Sequence, residues 1–180
     1  MTQLRGSVAI VGGRIVTGTG DSIENGTVLI TDGVITAVGR DVGVPDGVEV
    51  VDAVGRWVLP GFVDAHAHVG VAEEGEGRAG DDVNEMTDPN GARMRALDAI
   101  NPTELGFSDA LSGGVTTVVV KPGSGNPIGG QTVAVKTWGR IVDEMVVKSP
   151  TSVKSALGEN PKRGTATRSS CRRPARAWPR

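Results

Sequence analysis

The chain has two histidines, His66 and His68, and both fall in the segment LPGFVDAHAH at residues 59–68. As an extended strand this segment alternates its side chains, so Asp64, His66 and His68 share one face while Val63, Ala65, Ala67 and Val69 take the other. Cα atoms two positions apart on a strand lie about 6–7 Å from each other, which lets both imidazoles reach one divalent ion at about 2.1 Å. A satisfied, half-buried pair at a strand end is the plainer alternative, but it suits a lone histidine better than His-Ala-His. Asp64 is placed to hydrogen-bond a ligand imidazole or the backbone, orienting the site rather than binding the metal.

Elements that position this segment are legible on both sides of it. Runs of β-branched residues at 7–11, 14–17, 27–31 and 34–38 predict short strands. Asp32-Gly33, between the last two, is a two-residue hairpin signal, because a type I′ turn needs φ > 0 at both central positions. A further strand at 48–52 and a turn through Gly55 lead to 56–59, completing a small antiparallel β module. With few large side chains, that module buries little on its own. Residues 62–69 then form the strand that carries the histidines. Asn101-Pro102-Thr103-Glu104 predicts a helix start, with Asn101 as N-cap and Pro102 at the first helical position, and Gly113-Gly114 predicts its end. The apolar run 115–120 predicts a strand buried on both faces of a parallel sheet, so that strand, helix and strand make a βαβ unit. Residues 132–137 predict another strand, and 140–147 a helix or a strand.

Two loops tempt a chemical reading and do not sustain it. Residues 72–88 hold seven acids against one arginine and read as a solvated loop. The glycine-rich stretch 123–130 lacks the Gly-Lys-Ser/Thr of a phosphate-binding loop and has Ile128 where a dinucleotide fingerprint needs glycine.

Composition narrows the function classes. The chain has 180 residues, 38% of them apolar, with 27 Gly, 10 Pro, and one cysteine, Cys171. A single cysteine excludes an internal disulfide framework and a cysteine metal knuckle. No apolar run approaches the roughly 18 residues of a membrane span, and the N-terminus has no signal-peptide core, so the expected compartment is the cytosol. The net charge of −2 is a composite: 12 cations and 21 acids up to residue 161 give −9, and seven cations after it give +7. The basic stretch at 164–180 has no Ile, Leu, Val, Met or Phe to bury and is expected to be disordered. Its Arg, Ala, Pro and Ser content fits out-of-frame translation of GC-rich DNA better than a nucleic-acid-binding tail, which would interleave aromatics with the cations.

LPGFVDAHAH resembles the first-strand motif of the amidohydrolase superfamily, metal-dependent hydrolases built on a distorted TIM barrel. The resemblance extends over residues 8–163. SGGVTTVVVKPGSGNPIGGQ and KSALGENPKR are similar to segments of its imidazolonepropionase-like branch. What the resemblance implies is an α/β chain in three parts. Residues 1–58 would be the N-terminal part of a small β-sandwich, 59–163 the first strands and helices of a truncated TIM-like (β/α)8 barrel, and 164–180 a basic tail.

By the same resemblance, His66 and His68 would be paired ligands of the more buried metal, zinc, with one or two ions in a full-length relative. A carboxylated lysine or a glutamate commonly bridges such metals; Glu159 is the candidate taken as the third metal residue, ahead of Lys154, Lys121 or Lys136. Glu159 reads equally as a helix-start carboxylate before Asn160-Pro161, and each lysine as a solvated cation. The implied chemistry is attack of metal-activated water on a carbonyl or amidine carbon, breaking a C–N bond other than a peptide bond in a small-molecule substrate. The family's later histidines and its aspartate proton shuttle have no counterpart after His68, and a complete barrel needs about 250 residues. No catalytic residue is therefore assigned. The 180-residue chain is expected to turn over no substrate by itself and to act at most as a metal-binding or interaction module.

Overall fold

A computed structural model of the chain describes residues 6–166. It is mixed α/β and mostly strand, and it divides into two units, Met1–Pro60 and Gly61–Arg180.

The first unit is one sheet of five strands: β1 (Ser7–Val16), β2 (Ser22–Thr31), β3 (Val34–Gly39), β4 (Glu49–Asp52) and β5 (Trp57–Val58). The order is β3-β2-β1-β4, with β5 also beside β1. The runs at 7–11 and 14–17 prove to be one strand, whose register with β2 shifts between Val11 and Gly13 and again between Gly13 and Ile15. Gly12 takes φ 80°, a conformation open to glycine, so the strand bends there without ending. Between β2 and β3, Asp32 and Gly33 turn the chain at φ 50° and 78°, the predicted hairpin.

The expectation of an antiparallel module is corrected. β1–β2 and β2–β3 are antiparallel, but β4 and β5 both run parallel to β1. A tight turn dictates an antiparallel partner; residues 40–48 are too long a link to do so, and they carry the chain back past β2 to the open side of β1. Few side chains are buried in this unit, chiefly Ala9, Ile15, Val28 and Ala53. Val34, Ile35, Val50 and Trp57 remain exposed.

The second unit contains β6 (Phe62–Ala67), α1 (Leu105–Ser112), β7 (Val115–Val120), β8 (Ile128–Gln131), β9 (Val133–Lys136), α2 (Val142–Met145), β10 (Val146–Lys148), β11 (Val153–Ser155) and α3 (Glu159–Ala166). One sheet has the order β10-β9-β7-β6, and β8 and β11 form a separate pair. β6 and β7 are parallel and flank α1 in sequence, giving the predicted βαβ unit. The other neighbour of β7, β9, is antiparallel to it, so β7 sits in a mixed sheet rather than a wholly parallel one. Buried Val118 and Val120 of β7, Val133 and Val135 of β9, Phe107 of α1, and Val71, Ile100 and Met145 make the core. Residues 140–147 resolve into both alternatives, the short α2 followed directly by β10.

Two boundaries move. β6 stops at Ala67 rather than at 69, because the carbonyl of His68 accepts from the N–H groups of Val71 and Ala72 and Gly70 turns the chain at φ 81°. Helix α1 starts at Leu105, not Pro102, and its N-cap is Glu104. Asn101 uses its carboxamide oxygen on the N–H and hydroxyl of Thr103, forming a turn before the helix instead of capping it. The Glu104 carboxylate then accepts from Gly106 N–H at 2.7 Å.

α3 runs three residues past the boundary expected at 163, with Pro161 tolerated in its first turn. From residue 167 onward the expected basic tail lies outside the described residues. Among the described residues no helix is long and apolar enough to cross a membrane.

Candidate metal centre

The parallel pairing of β6 with β7 brings the ends of the two strands together, and the residue after each strand, His68 or Lys121, belongs to the site. Lys121 N–H donates to Ala67 O at 3.0 Å, continuing the ladder one step past β7. The Lys121 carbonyl in turn lies 2.8 Å from His68 Nδ1. A carbonyl oxygen only accepts, so Nδ1 of His68 carries the proton and Nε2 keeps its lone pair free for a metal.

His66 stands one strand period earlier. The two rings are edge to face, with centroids 5.5 Å apart, so both imidazoles serve one small volume. Asp64 accepts from the backbone N–H of His66 at 2.8 Å, fixing the strand under the ring rather than touching the ring itself.

A third group arrives from 88 positions away: Lys154, on β11, places Nζ 3.2 Å from His66 Nε2. An ammonium has donors only, so it donates to the Nε2 lone pair. Its charge is the largest influence lowering the His66 pKa below 6.5, followed by desolvation, His68 and Lys121, with Asp64 opposing. A lowered pKa favours the neutral imidazole, the form that binds metal.

The remaining sequence candidates make other contacts. Glu159 opens α3 and pairs with Lys162 at 3.0 Å, both exposed, and it is not among the charges acting on His66. Lys136 donates to Thr117 Oγ1 at 3.3 Å. Lys121 contributes its carbonyl to His68 and its charge to His66. Among the described residues no three of His, Cys, Asp and Glu gather to hold a metal, so the cluster consists of two imidazoles and an amine.

The glycine-rich stretch 123–130 has a role that its sequence did not announce. It is docked on the loop before it: Gly123 N–H donates to Val83 O at 2.8 Å, and Gly125 N–H to Asn84 Oδ1 at 2.8 Å. Buried Asn126 donates from Nδ2 to the carbonyls of Glu85 and Asp88, both at 2.9 Å. Its glycines permit this close packing, since a Cβ on Gly125 would lie 2.7 Å from Asn84 Oδ1. Residues 72–88, read as a solvated loop, are partly tied down as well: Glu73 accepts from Asn101 Nδ2 at 2.6 Å, and Glu74 N–H donates to Glu104 at 3.2 Å.

No protein-family model matches the chain. Among curated proteins, it is 33% identical over 152 residues to an imidazolonepropionase of Mesorhizobium japonicum, covering 74% of this chain and 37% of that protein. It is 36% identical over 114 residues to the amidohydrolase tasK of Hapsidospora irregularis, covering 62% of this chain and 12% of that one. Among solved structures, an amidohydrolase from Thermotoga maritima superposes with a TM-score of 0.83 at 42% identity, over 88% of this chain and 41% of the other. The chain thus spans less than half the length of each of these relatives.

Proposed function

Since the chain belongs to the amidohydrolase superfamily, we propose that it carries part of the metal site of a hydrolase that cleaves carbon–nitrogen bonds, with His66, His68 and Lys154 as the groups that would hold the metal. In this reading the two units are the N-terminal part of a β-sandwich and the opening βα elements of a TIM-like barrel. The substrate is a small molecule with a C–N bond outside an ordinary peptide, and zinc is the ion.

One observation carries the reading: a lysine amine remote in sequence lies 3.2 Å from the nitrogen of a histidine whose ring centroid is 5.5 Å from that of a second histidine. Nitrogen ligands in this arrangement suit zinc. As an ammonium, Lys154 repels a cation. Reaction of the neutral amine with carbon dioxide forms an N–C bond and releases a proton, replacing the positive charge by a carboxylate. That carboxylate is the hard anionic ligand the cluster otherwise lacks.

The chain's own residues then have distinct tasks. Lys121 O holds the His68 tautomer that presents Nε2, Asp64 fixes the backbone beneath His66, and Lys154 meets the His66 ring at Nε2. A bound metal supplies a water of lowered pKa and polarises the bond under attack.

The test is metal content and affinity of the chain with bicarbonate present, alongside hydrolysis assays on cyclic amides and amidines. Stoichiometric zinc that is lost in His66→Ala, His68→Ala and Lys154→Met supports the site. Zinc bound without turnover leaves a metal-holding module. Zinc binding indifferent to all three substitutions overturns the site.

A further inference from the structure

We infer that Gly129 is a positioning residue for Lys154: the absence of a side chain at 129 leaves the room through which the Lys154 stem runs to the His66 ring. The inference rests on Lys154 belonging to the metal-holding set proposed above.

β11 is three residues long, and its partner is β8, with Val153 opposite Gln131, Lys154 opposite Gly130 and Ser155 opposite Ile128. Between Lys154 and Ser155 the register slips, and Gly129 is the residue passed over. An extra residue in one strand re-aims the side chain beside it, and here that side chain is Lys154.

The space at Gly129 is bounded closely. A methyl group there would stand 3.3 Å from Lys154 Cγ, 3.3 Å from Gly123 O and 3.4 Å from Pro122 Cβ. The last two belong to backbone and a proline ring, and Gly123 is anchored to Val83 O. Of the three neighbours, the flexible lysine stem is the one free to yield. Gly129 has no left-handed φ, so alanine fits its backbone and acts through the added methyl alone. Gly130 differs: it has φ 129°, and a Cβ there would meet Met94 O at 2.7 Å, so substitution at 130 would break the packing itself.

The bulge has no room to slide. β8 is fixed on one side by Gly91 N–H to Ile128 O at 2.7 Å and Gln131 N–H to Met94 O at 2.8 Å. Just beyond it, buried Thr132 exchanges backbone bonds with Thr151 and Ser152, both at 2.9 Å, and its hydroxyl meets the hydroxyls of the same two residues. Lys154 therefore leaves β11 from a fixed point, and the clearance at 129 decides where its Nζ arrives.

The experiment is a double-mutant cycle on the full chain, with zinc affinity measured calorimetrically in bicarbonate buffer for the wild type, Gly129→Ala, Lys154→Met and the double variant. Thermal unfolding is followed on the same samples. Gly129→Ala is expected to weaken zinc about 10-fold or more, the scale of a lost orienting group, and to add nothing in the Lys154→Met background. Unchanged affinity in Gly129→Ala, with Lys154→Met impaired, overturns the positioning role and leaves the metal site standing. Wild-type affinity in Lys154→Met overturns the lysine reading and this inference with it. An equal loss from Gly129→Ala in both backgrounds marks a general effect on the fold and also overturns the inference. The cycle stays readable if Gly129→Ala lowers the melting temperature, because a loss common to both backgrounds cancels.

Discussion

His68 Nδ1 and the carbonyl oxygen of Lys121 are 2.8 Å apart, a bond that crosses from the end of β6 to the end of β7. The acceptor is main chain, so the lysine side chain is dispensable for it. Lys121→Ala is expected to keep His68 in the Nδ1–H tautomer, visible in long-range 1H–15N spectra of the ring, and to leave zinc affinity within about twofold. Conversion of His68 to the Nε2–H tautomer in that variant would show that the carbonyl does not set it.

Lys154 makes the opposite prediction at His66. Its charge is the leading cause of a pKa below 6.5, so Lys154→Met is expected to raise the His66 pKa towards 6.5, read from the C2 proton shift against pH. The sign for stability follows. A folded pKa below the unfolded value means the unfolded chain takes up the proton first, so this contribution is intact above 6.5 and is lost as pH falls through the folded pKa. In Lys154→Met the acid-side loss narrows. A His66 titration that is the same in both proteins would remove Lys154 from the cluster.

The contrast between these two lysines shows what the sequence could and could not disclose. The nearness of the His66 and His68 rings needed only their spacing in the chain, and the Asp32-Gly33 turn only the φ demands of two residues, so both were legible locally. The sequence put Glu159 ahead of Lys154, whose approach to His66 it could not show. That approach depends on a three-residue pairing of β11 with β8 across a bulge, which no hydrophobic period encodes. The parallel placement of β4 and β5 beside β1 was hidden for a similar reason: a loop link sets no direction. At α1, two residues competed for one cap, and Asn101 lost it by closing its own turn on Thr103.

That cap is testable. Glu104 Oε1 accepts from Gly106 N–H at 2.7 Å and Glu74 N–H at 3.2 Å, while its buried Oε2 has no hydrogen-bond partner among the described residues. Glu104→Ala removes both bonds and is expected to lower stability by roughly 0.5–2 kcal/mol, the range for lost N-caps, in urea unfolding. Glu104→Gln keeps an acceptor at Oε1 and withdraws a buried charge, so its loss should be the smaller of the two. The reverse order would mean that charge, not the cap bond, holds α1.

Asn126 offers a sharper discrimination, because its donor group and its volume can be separated. The side chain is 1% exposed, and Nδ2 donates to two carbonyls, Glu85 O and Asp88 O, at 2.9 Å each. Asn126→Ala deletes both bonds and leaves a small void, a loss of roughly 1–3 kcal/mol. Asn126→Asp preserves the shape but replaces the donor with a carboxylate oxygen facing two carbonyl oxygens, and an unpaired charge buried there is the costlier defect. The expected order of stability in urea is wild type, then Asn126→Ala, then Asn126→Asp, with faster proteolysis within residues 83–95 in both variants as that loop comes away from the glycine-rich stretch. Near-wild-type stability in Asn126→Asp would mean that shape alone seats the residue, and that the two loops are held together by the bonds of Gly123 and Gly125.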